Sequence, residues 1–285
     1  MIRANPSNRD FLPAPLAISL YDLAYFGNTW DMLDSLAELA LPEAWKFRCS
    51  DYAFKNQDTP ILERYLLSTY RHLAIDYTAS VSMEQAEKLL WVTKDRLCFN
   101  TGLMTAKYKY IYAYFERNPR QDSLLEWKLR AFVDEASSLL KYICPLPLPP
   151  QYFDLDDARC FDAHREIRIN SEHILEDPDN VQRLPESLRA FPNLPLLLEA
   201  SVEKSRRMAH VCPGIVAHQS YRHQLQYLLP LYLSGTDTPD LALTLADEAG
   251  YYTGSTCLTL SMAYMNARLL GRPVAPWLLD LIEKR

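Results

Sequence analysis

The residues best suited to chemistry lie where a predicted strand meets a predicted helix, at Asn170 and His173. Their i, i+3 spacing directs both side chains toward one concavity, and a helix N-terminus adds unpaired N–H groups and a positive dipole end. Such a site suits a phosphate or a carboxylate, and a histidine in it can act as general acid or base. We therefore predict His173 as the candidate catalytic residue and Asn170 as a ligand-binding residue. A purely structural role for His173, as a hydrogen-bonding core residue, stays open.

A second polar element interrupts an otherwise apolar predicted strand at Asn100, Thr101 and Gly102. Its amide and hydroxyl groups can hydrogen-bond a ligand, because segments at strand ends often carry binding sites. The same residues also suit a turn, in which asparagine bonds its own backbone and glycine adopts a positive φ. Both roles stay open, and Asn100 and Thr101 are candidate ligand-binding residues.

Three further side chains complete the predicted ligand-binding set. Arg183 offers a fork of N–H donors for an anion, although an exposed, solvated arginine is the default. Asn266 and Arg268 lie on a predicted helix but outside its apolar stripe. They can line a pocket or only solvate that surface.

The histidines, cysteines and glycines form no recognisable metal or cofactor motif. The spacing of His210, His218 and His223 matches no common zinc pattern. The six cysteines are dispersed without a CxxC pair, and the seven glycines form neither GxGxxG nor GxxxxGK[ST]. We expect no metal, no cofactor and no disulfide bond.

The composition indicates a folded and mildly acidic protein, with 48% apolar residues and a formal net charge of −6. This excludes a disordered chain and gives no general attraction to nucleic acid or to an anionic membrane, although a local basic face remains possible. We recognise no signal peptide and no apolar run near the length of a membrane span. We therefore expect a soluble, cytoplasmic protein.

The elements that position these residues are clearest in the last quarter of the chain. The apolar run Gln224 to Leu233 is typical of a strand buried on both faces. Alternating large and small side chains predict a second strand from Asp240 to Ala246, followed by a third from Tyr251 to Leu258 and a hairpin turned at Gly250. The segment Thr259 to Leu270 has the apolar spacing of a helix.

Upstream patterns are shorter but similar in kind. Ser82 and Gln85 resemble a capping box that opens a helix. Helices are predicted at 30–40, 60–75, 83–90 and 196–210, and strands at 96–103, 108–115, 158–161 and 166–170.

Residues 124–143 carry apolar side chains on one helical stripe centred on Phe132, which predicts the clearest helix of the chain. The proline-rich segment 145–150 cannot be helical and marks the best internal boundary. We interpret it as a connection within one domain, because neither half shows enough strands to close its own sheet. The predicted fold is α+β: an N-terminal arm at 1–12, then a single domain at 13–285 whose mixed or largely antiparallel sheet is covered by about five helices.

The predicted strand 108–115 presents four tyrosines on one face: Tyr108, Tyr110, Tyr112 and Tyr114. Exposed, such a face would be a stacking platform for bases, and basic residues flank it. Tyrosines on a central strand more commonly pack under another element with the hydroxyl at the edge. We expect core packing here.

Four motifs in order resemble one family, known as domain of unknown function 3825. They are LAxPExW at Leu39 to Trp45, FNTGLMTAKYKYIYAYFERN at 99–118, the 151–185 segment containing CFDAHREIRIN, and the 224–277 stretch with LLPLYL, PDLALTL and GSTCLTLSMAYMNARLL. A terminal Pro-Trp-Leu element between Pro273 and Leu278 extends the resemblance, which covers about Pro13 to Leu278.

The resemblance implies no activity by itself. What it implies about partners is an association with small nucleic-acid-binding modules, which favours a link to RNA. The chain departs from the family pattern at Ser261, where members carry an acid, and at Val216-Ala217-His218, where members carry a Val-Pro-Gln-like element.

Together these patterns predict a domain that binds a nucleotide or an RNA end, with catalysis left open. The alternative is a non-catalytic protein-interaction or scaffold domain. Geometry separates the two: convergence of Asn100, Asn170, His173, Asn266 and Arg268 on one pocket favours a ligand site, and their dispersal favours the alternative.

Overall fold

The computed structural model describes residues 15–45, 58–120, 123–152 and 160–283. They belong to two compact units that divide after Pro150. Each unit contains one five-stranded mixed sheet together with helices. The predicted α+β class is therefore confirmed.

The first unit builds its sheet in the order β1-β5-β4-β3-β2, antiparallel throughout except for the β1–β5 pair. Its elements are α1 (Leu20–Leu23), β1 (Ala24–Tyr25), α2 (Thr29–Leu39), α3 (Pro60–Ala79), α4 (Met83–Leu89), β2 (Leu90–Val92), β3 (Arg96–Met104), β4 (Tyr110–Arg117) and β5 (Trp127–Asp134).

The start of α4 confirms the predicted capping box. The Ser82 hydroxyl oxygen accepts the Gln85 N–H at 3.2 Å, and the Gln85 side-chain oxygen accepts the Val81 N–H at 3.2 Å. The first bond satisfies a backbone donor that the helix leaves unpaired, and the second fixes the residue that precedes the cap.

The segment 124–143 is not the helix that its apolar stripe predicts. It forms β5 and a short 3-10 helix at Ser138–Leu140. Along β5, Trp127 and Leu129 are buried while Lys128 and Arg130 are exposed, which is the period of two of a strand. Its apolar residues fit both periods. The position of β5 between β4 and β1 decides for the strand, because pairing on both sides satisfies its backbone groups.

The tyrosines of β4 pack in the core, as expected. Tyr112 and Tyr114 are 3% and 2% exposed and form a cluster with Cys98, Leu140 and Ile143. Burial raises the pKa of Tyr112 to about 12. Tyr108 differs, since it precedes the strand and is 75% exposed. The buried tyrosines cannot serve as a stacking platform.

The second unit builds its sheet in the order β6-β10-β9-β8-β7, antiparallel throughout except for the β6–β10 pair. The hairpin between the strands β9 and β10 turns at Gly250, as predicted, with φ of 101°. The elements of this unit are β6 (Glu166–Ile169), α5 (Ser171–Glu176), α6 (Pro178–Arg183), α7 (Leu194–Val211), β7 (Ala217–Tyr221), β8 (Gln224–Leu231), β9 (Leu241–Asp247), β10 (Tyr251–Leu258), α8 (Leu260–Leu270) and α9 (Pro276–Glu283).

The strands form two sheets, not the one sheet predicted. Each unit has its own five strands. The prediction missed this because the strands β1, β2 and β7 are too short to carry a recognisable pattern. The two units divide at the end of the proline-rich segment, after Pro150. The arm at 1–12 lies outside the described residues, and the single domain at 13–285 stays a prediction.

Two other expectations concern the strand predicted at 158–161 and the absence of a membrane span. The predicted strand 158–161 is not formed at Cys160 and Phe161, and its first two residues lie outside the described ranges. Across the described ranges, no helix combines the length and the apolar character needed to span a membrane.

Five of the six cysteines fall in described ranges, and all five are free thiols. Burial raises the pKa of Cys98 and of Cys257 to about 12. The exposed thiols of Cys144, Cys160 and Cys212 should therefore react with a disulfide reagent in the native protein, whereas the two buried thiols should react only after unfolding. Timed thiol titration checks this. Four or fewer thiols in denatured, unreduced protein would contradict the absence of disulfides.

Candidate functional site

Asn170 and His173 lie together at the start of α5, directly after β6. The Asn170 side-chain oxygen accepts the His173 backbone N–H at 3.1 Å, so it uses one of the donors that an anion would need. The His173 side chain is 76% exposed, and its Nδ1 lies 3.7 Å from a Glu176 carboxylate oxygen. His173 is therefore not a core hydrogen-bonding residue. Its catalytic role stays a prediction.

Arg183 holds α6 against the end of β10. Its Nη1 donates to the Asn180 side-chain oxygen at 3.1 Å and to the Cys257 carbonyl at 2.9 Å. Asn180, which the sequence did not single out, is 2% exposed, accepts the Cys257 N–H at 3.1 Å and donates to the Ile174 carbonyl at 3.0 Å. These bonds use Arg183 as a structural clamp, and any anion would have to compete with them.

Asn100 and Thr101 lie in the first unit and are completely buried, each at 0% exposure. The Asn100 amide donates to the Pro147 carbonyl at 3.3 Å and accepts the Gly102 N–H at 2.9 Å. The Thr101 hydroxyl donates to the Ile111 carbonyl at 2.7 Å. Ligand binding at either residue would require these bonds to open.

Gly102 explains why this polar element interrupts the strand. Its φ is 74°, and a Cβ there would lie 2.6 Å from the Tyr65 hydroxyl. The β3–β4 register shifts between Asn100 and Met104, so the element is a bulge that only glycine accommodates.

Asn266 takes part in a side-chain relay, and Arg268 is buried at 7% exposure. The Asn266 amide donates to the Gln219 side-chain oxygen at 2.8 Å, and the Gln219 amide donates to the Gln226 side-chain oxygen at 2.9 Å. We call these three side chains the amide relay. It connects α8 to neighbouring positions on β7 and β8.

Within the second unit, the predicted residues do not converge. Asn170 follows the edge strand β6, whereas Asn266 contacts Gln219 on the opposite edge strand β7. Four strand spacings separate these edges, which is about 19 Å. The single site predicted from the sequence is therefore not formed by these side chains within this unit. The binding or catalytic role of each residue stays a prediction.

The strand register reveals a different polar surface on the second sheet. One row across the sheet runs through Arg168, Thr253, Ala246, Gln226 and Gln219, which all point to the same face. The helix α8 packs on this face, as the Asn266–Gln219 bond shows. Towards the β7–β8 hairpin and the edge strand β6, the side chains of this face, Gln226 of the relay included, are exposed or half-buried.

We call this exposed part the open face. Its residues are Arg168, Tyr221, Gln224, Gln226, Tyr251 and Thr253.

Two arginine–tyrosine pairs lie on the open face and at its edge. The Arg168 guanidinium carbon lies 3.9 Å from the centroid of the Tyr251 ring, and the Arg168 side chain is 55% exposed and ion-paired with Glu166 at 2.8 Å. The Arg222 guanidinium carbon lies 5.1 Å from the centroid of the Tyr221 ring, which belongs to a residue 52% exposed. Both pairs combine a flat ring with a planar cation.

Arg222 also belongs to an unusual turn. The residues Arg222 and His223, which join β7 to β8, have φ of 51° and 66°. Two positive φ values are typical of a type I′ hairpin, where asparagine and glycine are favoured. A non-glycine pair therefore turns this hairpin at a conformational cost.

The histidines that lie close in sequence have different neighbours. The His218 ring packs 5.3 Å from the Tyr227 ring, and burial lowers the pKa of His218. The His210 ring instead lies 4.6 Å from the ring of His164. Of the positions that depart from the family pattern, Ser261 lies in the first turn of α8 and His218 adjoins Gln219 of the relay.

Fold and surface together define an α+β protein with a partly uncovered polar sheet. The chain belongs to the family described as Domain of unknown function (DUF3825), whose model matches residues 36–277. The resemblance of the sequence motifs to that family is thereby confirmed. Neither the curated proteins nor the solved structures contain a match to this chain.

The residues of the open face were missed at the sequence level, although a signal was present. In β8, Gln224 and Gln226 alternate with Leu225 and Tyr227, so the first half of the strand has one polar face. Only the part of the run from Tyr227 onward is buried on both faces, as predicted for the whole. The Leu-rich second half obscured this alternation.

Proposed function

We propose that this protein binds a nucleotide or the unpaired end of an RNA strand on the open face. The observation that carries the proposal is the half-buried Tyr251 ring with the Arg168 guanidinium 3.9 Å from its centroid. Single-stranded nucleic acid is commonly bound by sheet surfaces on which bases stack against aromatic rings and arginine planes.

The polar groups of the open face suit such a ligand. Thr253 lies beside Arg168 in the register, and Gln226 lies two strands further along the same row. Hydroxyl and amide groups at this spacing can bond base edges, sugar hydroxyls or phosphate oxygens.

The charges set how the binding should depend on salt. The net charge is −6, and Glu166 partly neutralises Arg168, so phosphate attraction cannot dominate. Stacking and hydrogen bonds should supply most of the affinity. We expect the logarithm of the affinity to fall with the logarithm of salt at a slope near one, as for about one phosphate contact.

Tyr251→Ala should weaken the binding of a fluorescently labelled single-stranded RNA by about fivefold to a hundredfold. The reason is that base–aromatic stacking contributes about 1–3 kcal/mol per base. Fluorescence anisotropy at several salt concentrations measures the loss. The affinities for RNA with a 5′-phosphate, for RNA without it and for free nucleotides are then compared. They show whether the protein binds the end of the strand or the bases along it.

Two arginine variants test how much the positive charge contributes to binding. Arg168→Gln should weaken binding and flatten the salt dependence. Arg130→Gln removes an arginine from the other sheet that is 63% exposed and lies near a glutamate, and it should change neither. Equal binding by wild type, Tyr251→Ala and Arg168→Gln would refute the open face as the site.

His173 is the candidate general acid or base within this proposal. Asn170 and His173 follow Arg168 in sequence at the end of β6, so a strand of RNA would have to run past that end of the edge strand to reach them. His173→Ala should then weaken binding or abolish turnover of an RNA end. The cytoplasmic location expected from the sequence belongs to the same proposal.

The alternative, a protein-interaction domain, is favoured by two observations. The first is that the predicted site residues of the second unit do not converge. The second is an apolar groove beside α7. A groove of about 760 Å³ follows α7 and is lined by Met208, Val211 and Ile215, with Lys204 and Arg207 beside them. Val211 is 85% exposed, and exposed apolar side chains grouped at a groove are typical of a protein-interaction site. If no RNA and no nucleotide binds, this groove becomes the leading candidate.

A further inference from the structure

We infer that the amide relay makes Gln226 a specificity-determining residue that selects bases with a carbonyl edge, uracil above cytosine. The inference rests on the proposed function, because it assigns a preference to the same open face. It adds a class of ligand, namely uridine-containing single strands.

The relay has a direction that leaves Gln226 with unused donors. Asn266 donates to Gln219 at 2.8 Å, and Gln219 donates to Gln226 at 2.9 Å. The side-chain oxygen of Gln226 is thereby engaged by Gln219. Within the described part of the chain, its NH₂ group has no hydrogen-bond partner.

The buried middle of the relay keeps this direction. Gln219 is 4% exposed, so both ends of its amide must find protein partners. If its amide turned over, its nitrogen would meet the NH₂ of Asn266 and its oxygen would meet the oxygen of Gln226. The three amides must therefore turn together or not at all.

An amide whose oxygen is already engaged by the protein presents its two N–H donors to a ligand and thereby discriminates between bases. Uracil offers the O4 carbonyl at the position where cytosine carries the N4 amine, so the two pyrimidines have the same size but opposite polarity. The Gln226 NH₂ can donate to uracil O4, whereas it meets another donor on cytosine. Guanine should bind for the same reason, because its O6 carbonyl accepts a hydrogen bond, whereas adenine is disfavoured because N6 carries an amine.

Asn266→Asp should reverse the relay from a distance. A carboxylate can only accept, so the Gln219 NH₂ should turn toward it and present the Gln219 oxygen to Gln226. Gln226 would then donate inward and present its own oxygen on the open face. That oxygen accepts the cytosine N4 amine.

The test compares labelled oligouridine with oligocytidine of the same length by fluorescence anisotropy. Wild type should bind oligouridine about fivefold more tightly or better, in keeping with one hydrogen bond and one avoided donor clash. Asn266→Asp should shift the ratio toward oligocytidine. Gln226→Glu presents only acceptors and should do the same without depending on the relay, which keeps the inference testable if Asn266→Asp does not fold.

Arg130→Gln is the control, because Arg130 lies exposed on the sheet of the first unit, outside the open face and the relay. It should leave the ratio of the two affinities unchanged. Equal binding of the two oligonucleotides by wild type, with Tyr251 still required, would overturn the inference and leave the proposed function standing. A wild-type preference for oligocytidine would also overturn it. No binding of either would refute both.

Discussion

Phe132→Ala should lower the free energy of unfolding by about 3–5 kcal/mol, the range for removing a buried aromatic side chain. Phe132 is 8% exposed on β5 and lies opposite Ala113 on β4. Because the neighbour across the strand is small, it cannot fill the volume that the ring leaves. The loss should therefore include a cavity contribution as well as lost burial.

Chemical denaturation followed by circular dichroism measures this change. Leu124→Ala is the control: the Leu124 side chain is fully exposed at 101%, so its removal should change the free energy by less than about 0.5 kcal/mol. A loss below about 1 kcal/mol for Phe132→Ala would show that this side of β5 does not face the core.

Asn180→Ala should destabilise the protein by about 2–4 kcal/mol. The change leaves the Cys257 N–H and the Ile174 carbonyl without their side-chain partner, and each buried unpaired group costs about 1–3 kcal/mol. It also releases Arg183, which donates to the same amide oxygen.

Two variants interpret the Asn180 result. Asn180→Asp keeps an acceptor for Cys257 and Arg183 but loses the donor to Ile174, so it should cost less than Asn180→Ala. His173→Ala should change the free energy by less than about 0.5 kcal/mol, since that side chain is 76% exposed. Collapse of the protein on His173→Ala would show that His173 is structural and would end its candidacy as a catalytic residue.

The predicted site and the observed surfaces differ for a physical reason. Asn100 and Arg183 were selected because their side chains can bond a ligand, but the same groups can bond the backbone of a distant element. In the structure Asn100 bonds Pro147 and Arg183 bonds Cys257. A residue type states which bonds are possible, and only the tertiary contacts state which of them are made.

The open face shows the converse case. Arg168 and Tyr251 are far apart in the sequence and neither stands in a motif that indicates binding. The parallel pairing of β6 with β10 places them beside each other. No local pattern contains that pairing.

By itself the sequence determined the elements that depend on local pattern: β8, β9, β10 and α8 of the last quarter, the capped start of α4 and the α+β class. It also marked the proline-rich segment 145–150, at whose end the two units divide, because closely spaced prolines cannot continue a helix. The tertiary structure decided that 127–134 is a strand, that the strands form two sheets and that part of one sheet stays uncovered. These outcomes depend on which strands pair and which helix covers them, and such contacts join residues that no periodicity along the chain relates.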